Sequence, residues 1–146
     1  MQEAGCKAER FFAATQLKFE MGCSMQVNKA YFMVRAQVVN ESDRVKFDHW
    51  YATGHLPLAM EKLRAEKGWR FWSRSDPSVH YAFYQFPDVA TLRSRIESPE
   101  FKLLVADFDA AWPHVTRTRD LIEAVQETSR ALQLALITES SDRPDR

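Results

Sequence analysis

The sequence predicts an α+β domain of βαββαβ order, with two helices on one face of a four-stranded antiparallel sheet. Three observations carry that expectation. Strand-like apolar runs at residues 30–39, 69–75, 79–86 and 115–125 alternate with two segments of helical periodicity. The two middle runs flank the tight-turn residues Asp76-Pro77-Ser78, which marks a hairpin. Those same two runs carry large aromatics on alternate positions of both faces: Trp69 and Phe71 against Trp72, and Tyr81 and Phe83 against Tyr84 and Phe86.

Taken in order, residues 1–28 read as an N-terminal extension, helical or mobile, with weak periodicity at Phe11, Phe12, Thr15 and Phe19. Met21 and Met25 precede the first strand-like run, and either is a candidate natural start. Strand one, 30–39, has a uniformly apolar face (Phe32, Val34, Ala36, Val38) and a mixed face (Tyr31, Met33, Arg35, Gln37, Val39). Ser42 or Asp43 is expected to cap the first helix. That helix is expected to break at Gly54-His55-Leu56-Pro57, because the residue before proline is pushed from helical angles. It resumes from Pro57 to Lys67, and Gly68 is expected to stop it. After the hairpin, Pro87-Asp88 opens a helix over 89–96, and Ser98-Pro99 restarts it. Phe101, Leu104, Val105, Phe108 and Trp112 then give it a core face, while Lys102, Asp107 and Asp109 form a solvated one. Strand four spans 115–125, with helix the competing reading for its second half. The domain is thus expected over 29–126, followed by a C-terminal arm and disordered tail over 127–146.

Composition bounds the function. With 20 basic and 20 acidic residues in 146, there is no charge footprint for nucleic acid or an anionic membrane. No run approaches the ~18 apolar residues of a membrane span. Charged residues interrupt each apolar stretch of the first 25, so no signal peptide is read there. Cys6 and Cys23 fit no zinc spacing and read as free thiols, the alternative being a disulfide closing a small terminal loop. A cytoplasmic protein is expected.

Helices on one sheet face leave the other open, and the aromatics make that open face apolar. Packing it against a second copy about a two-fold is the simplest way to bury it, so a homodimer is expected. The competing arrangement folds the terminal segments over it.

The stretch Phe47-x-x-Trp50-Tyr51-x-x-x-His55-x-Pro57, together with the aromatic hairpin 69–86, resembles the dimeric α/β-barrel superfamily of ferredoxin-like fold. The likeness is to its EthD-like and related uncharacterised families, and it covers about two-thirds of the chain. Thr53-Gly54 stands where such families often carry acidic residues before the histidine, which leaves His55 without an adjacent carboxylate. The resemblance implies a fold whose members include monooxygenases, isomerases, haem proteins and proteins without known activity, and it implies a pocket at His55.

His55 is the candidate catalytic residue, since an imidazole near its ordinary pKa both accepts and donates a proton. The competing reading has it hydrogen-bonding backbone groups freed by the helix break. Trp50, Tyr51, Trp72 and Tyr84 are the candidate substrate-binding walls; plain core packing is the alternative for each. Arg35 is the candidate anchor for an anionic group, or else a salt-bridge partner of Asp120 or Glu123. Arg117 and Arg119 hold alternating positions on strand four. His49 lies six residues before His55, which is no metal-pair spacing, and it reads as a surface residue. His80 and His114 could converge with His55, but the spacing does not decide it. No metal site and no cofactor motif is expected. The reading is therefore a cofactor-independent enzyme (proton transfer, isomerisation or oxygenation) on a hydrophobic or aromatic small molecule. The alternatives are a non-catalytic binding or assembly module and a haem-binding member. An unpaired imidazole nitrogen beside a cavity of roughly 300 Å³ favours the enzyme. An imidazole bonded to backbone without such a cavity excludes it.

Overall fold

The computed structural model describes residues 28–141, with side chains to residue 138. The expected N-terminal helix, both cysteines and the last five residues lie outside the described residues. The elements are β1 (Ala30–Gln37), α1 (Glu41–Trp50), a π-helical turn (Tyr51–His55), α2 (Leu56–Leu63), β2 (Lys67–Trp72), β3 (Val79–Phe86), α3 (Val89–Ile96), α4 (Pro99–Ala111), β4 (Thr116–Glu123) and α5 (Arg130–Ser141). Residues Asn28–Ala124 form one compact unit. Helix α5 belongs to a second unit, and Leu134, Leu136 and Ile137 on it are exposed. Among the described residues no helix is long and apolar enough to cross a membrane.

The sheet is antiparallel throughout, in the order β2-β3-β1-β4. Residues directly opposite one another share a face, so the register sorts the side chains. Phe32 lies between Tyr84 and Leu121, Val34 between Ala82 and Arg119, and Ala36 between His80 and Arg117. This is the face that buries Phe32, Val34, Ala36, Tyr84 and His80 with Phe47, Leu92, Leu104 and Phe108. The opposite face carries Tyr31, Met33 and Arg35 beside Phe83 and Tyr81, with Trp69 and Phe71 opposite those. Both expected faces of β1 are therefore present, and strand is the state of the whole 116–123 segment.

Three local expectations are corrected. The first helix does not break at Gly54-Pro57. Gly54 has no positive φ, and Leu56 is helical at φ −63°, ψ −48°. The chain instead absorbs Pro57 by widening one turn: the Leu56 N–H reaches back five residues to the Tyr51 carbonyl. Proline has no N–H, and its ring presses on the carbonyl four residues earlier. One extra residue in the turn relieves both constraints without ending the helix. The helix stop is not Gly68 but Arg64, left-handed at φ 51°. Gly68 lies within β2, where a Cβ would come 2.8 Å from Met60 Sδ and 3.3 Å from Leu56 Cδ1, so its missing side chain lets α2 lie close to the sheet. Finally, Asn40 holds the first N-cap position without a side-chain cap bond. Asp43 instead accepts from Asn40 Nδ2 at 3.3 Å and pairs with His114 Nε2 at 3.2 Å.

Candidate active site

His55 is the last residue of the π-helical turn, and the added residue there turns its side chain toward α4 rather than solvent. It is 7% exposed. Its Nδ1 lies 2.8 Å from Asp107 Oδ2 on α4. A carboxylate only accepts, so Nδ1 donates and Nε2 is left as the acceptor of a neutral ring. No hydrogen bond to Nε2 occurs among the described residues. Trp50 stacks on the imidazole at 4.6 Å and 20°, and Tyr51 and Phe108 meet it edge-on at 4.9 and 5.7 Å. Burial pushes the His55 pKa down, and Asp107 opposes that push without reversing it. The ring is accordingly the free-base form at neutral pH.

Beside His55 lies a cavity bounded by Tyr51, Tyr84, Phe32, Phe108 and Arg117. Its volume is about 30 Å³, room for a water-sized group. The wall members that reach solvent are Phe101, Val105, Arg117 and Arg119, which places the mouth between α4 and β4. Tyr51 and Tyr84 share a hydroxyl–hydroxyl hydrogen bond of 2.9 Å. Burial raises the Tyr51 pKa to about 12 and pushes Tyr84 up as well, so both stay protonated as donors. Arg117 places its guanidinium 3.9 Å from the Phe108 ring centre and pairs with Asp109 at 2.8 Å.

A second cluster backs the first. Asp48 Oδ1 accepts from Arg70 Nη2 and, at 2.8 Å, from Trp72 Nε1. Arg70 Nε donates to His80 Nε2 at 3.2 Å. The His80 ring lies 4.8 Å from Tyr51, so this tyrosine touches both buried imidazoles. Burial, with the Arg70 charge, lowers the His80 pKa to about 3.

The expected site residues separate. His55, Tyr51 and Tyr84 meet at the cavity, and Trp50 packs behind the imidazole. Trp72 shares the helix-side face but is bonded to Asp48, in a surface hollow with Arg44 and Pro77. Arg35 stands on the other side of the sheet, opposite Tyr81 and Thr118, because its odd position in β1 points it away from His55. His49 is exposed. His55 is bonded to a carboxylate, not to backbone, and its cavity is far smaller than 300 Å³; each half of the expected criterion thus points a different way. Two residues were missed. Asp107, read as solvated, lies 52 positions from His55 with no local pattern to connect them. Asp109 of the same supposed solvated face pairs with Arg117. The signal for Arg117 existed: its alternation with Arg119 and Leu121 places it on the face of Ala36. Among the described residues no group of three or more His, Cys, Asp or Glu could hold a metal ion.

No protein-family model matches the sequence, and no curated protein matches it significantly. Solved structures do match its shape. SnoaB, a cofactor-independent oxygenase from Streptomyces nogalater, aligns at TM-score 0.51 and 16% identity over 70% of this chain and 98% of that one. An EthD family protein from Bacillus halodurans aligns at TM-score 0.53 and 16% identity, over 64% and 97%. The fold is ferredoxin-like. HapK from Hahella chejuensis shares it, at TM-score 0.51 and 12% identity over 68% and 94%. At such identities the likeness establishes the fold alone, and a reaction must be argued from the site.

Proposed function

We propose that this chain is a cofactor-independent enzyme acting on a hydrophobic, aromatic or polyketide-like small molecule, with His55 as general base. The observation that carries the reading is buried His55, bonded through Nδ1 to the half-exposed Asp107, at the head of an aromatic cavity. Asp107 holds the Nδ1–H tautomer, which keeps the Nε2 lone pair for a substrate C–H proton. Tyr51 and Tyr84 form walls, and Trp50 fixes the ring plane. Arg35 and Trp72 lie apart from this cavity and take no part. Proton removal leaves an enolate, and the same intermediate serves isomerisation or oxygenation. For isomerisation, the proton returns at another carbon. For oxygenation, the enolate donates an electron pair to dioxygen, the resulting peroxide takes up the proton, and loss of water from R₂CH–OOH leaves a ketone. SnoaB's description as a cofactor-independent oxygenase supports this class of chemistry on the fold.

The cavity of about 30 Å³ favours the second reading, a non-catalytic module with its interior filled by side chains. The enzyme reading requires the α4–β4 mouth to open for substrate. A deuterium-exchange assay separates the two. The wild-type protein is incubated in D₂O with 2-tetralone and related aryl ketones, and C–H exchange is followed by NMR. Faster exchange than in buffer, lowered about 100-fold or more by His55→Ala, is expected. Equal exchange with wild type and His55→Ala overturns the enzyme reading. The chain is further proposed to work as a homodimer joined through the open sheet face.

A further inference from the structure

Hydrogen-bond donors without a partner line the cavity. Tyr51 and Tyr84 have two hydroxyl protons and share one bond, so one proton has no acceptor among the described residues. Arg117 commits Nη2 to Asp109 Oδ1 at 2.8 Å, with a long contact to the Val105 carbonyl at 3.5 Å. Its Nη1 is buried and has no partner. The side chain is only 10% exposed, yet it lines the same water-sized space as both tyrosines and His55. A buried N–H of a cation without an acceptor is costly. It is also what a site for developing negative charge requires, since donors fixed in place need no reorganisation when the charge arrives.

We infer that Arg117 and the Tyr51–Tyr84 hydroxyl pair form an oxyanion-holding set, and that the substrate is an enolisable ketone or a phenol whose oxygen binds between them. This rests on the proposed base chemistry at His55 and narrows its substrate class. The base, His55, and the donors line one cavity, so once the α4–β4 mouth opens, a C–H next to a carbonyl can face Nε2 while the carbonyl oxygen meets Arg117 and a tyrosine. Asp109 and the Phe108 face hold the guanidinium in place, and the Asp109 carboxylate is 64% exposed, which leaves the cation incompletely neutralised on the cavity side. Arg119 contributes a second positive charge at the mouth, 5.5 Å from the Phe101 ring centre.

An equilibrium binding test reads this without turnover. The probes are 4-nitrophenolate at pH 8.5 and the neutral nitrobenzene of similar shape, titrated calorimetrically, with the nitrophenolate absorbance as a second signal. Wild-type protein is expected to bind the phenolate at least tenfold more tightly than nitrobenzene. Arg117→Met is expected to abolish the preference while retaining nitrobenzene binding, and Arg117→Lys to restore part of it. Tyr84→Phe, which keeps the buried ring, is expected to reduce it several-fold and serves if Arg117→Met does not fold. Equal binding of the two probes, no binding of either, or a preference that survives both Arg117→Met and Tyr84→Phe overturns the inference. A phenolate preference that His55→Ala leaves intact, in a protein that exchanges no C–H, overturns the catalytic reading and leaves the anion site standing.

Discussion

His80 shows how a single buried group sets a pH dependence. Its Nε2 accepts from Arg70, so a proton there would displace that bond and meet the guanidinium charge. Asp48, which accepts from Arg70 and Trp72, pulls the other way and does not prevail. The folded pKa is about 3 against 6.5 unfolded, so the unfolded chain binds the extra proton first. His80 therefore contributes stability that is complete above about pH 6.5 and is lost progressively as pH falls toward about 3. His55, whose pKa is also lowered by burial, acts in the same direction. Between pH 6 and 5 few carboxylates titrate, so urea midpoints there report the histidines. His80→Gln keeps an acceptor for Arg70 and cannot titrate. Its stability should fall less steeply, by about 1.4 kcal/mol per pH unit relative to wild type. An unchanged slope would assign the acid sensitivity elsewhere. At this scale the sequence was least legible. His55 stood out because a helix break was expected beside it and two aromatics. Asp107 did not, because a carboxylate on a polar helix stripe looks the same whether water or an imidazole faces it.

Elements were legible where local chemistry decides them. Pro87-Asp88 and Ser98-Pro99 announced two helix starts, and both caps are made. The Asp88 side chain accepts from the Thr91 N–H at 2.6 Å and Ser98 Oγ from the Phe101 N–H at 3.3 Å. Asp88→Ala should lower the denaturant midpoint measurably, and Asp88→Asn much less; equal losses would show that the carboxylate charge, not the cap bond, matters. The π-helical turn and the Arg64 stop were not legible, because both depend on what the chain packs against. Proline and glycine mark where a helix is under stress, while the sheet beneath decides whether it breaks or widens. Gly68 makes the point from the other side. It sits opposite Tyr84 under Met60 and Leu56. Gly68→Val should lift α2 and lower stability by about 1–3 kcal/mol. Met60→Ala in the same chain should recover part of that, measured as a double-mutant cycle. Additive losses would mean that the contact is relieved without moving the helix.

At the scale of the whole molecule, the order of elements and their alternation fixed the topology, since few connections of βαββαβ form an antiparallel sheet with both helical segments on one side. The same reasoning reaches the open face. Tyr31, Trp69, Phe71 and Phe83 bound a shallow hollow there, with Tyr31 and Trp69 rings 6.2 Å apart and Phe71 and Phe83 5.8 Å apart. Phe71 is 50% exposed and Ile122 39%. Contiguous aromatic surface on a sheet is unfavourable in water, and a two-fold copy supplies the matching surface. Arg35 lies on the same face beside Tyr81 and Thr118, so in the proposed dimer it would meet the partner rather than a substrate. Sedimentation of the wild-type chain should therefore give a dimer mass. Phe71→Glu combined with Trp69→Glu should give a monomer that keeps its far-ultraviolet circular dichroism, because both side chains point away from the core that holds each copy together. His55→Ala, on the opposite side of the sheet, should leave the dimer intact. A monomeric wild type, or a dimer that survives both glutamates, would show that something other than a second copy meets this face.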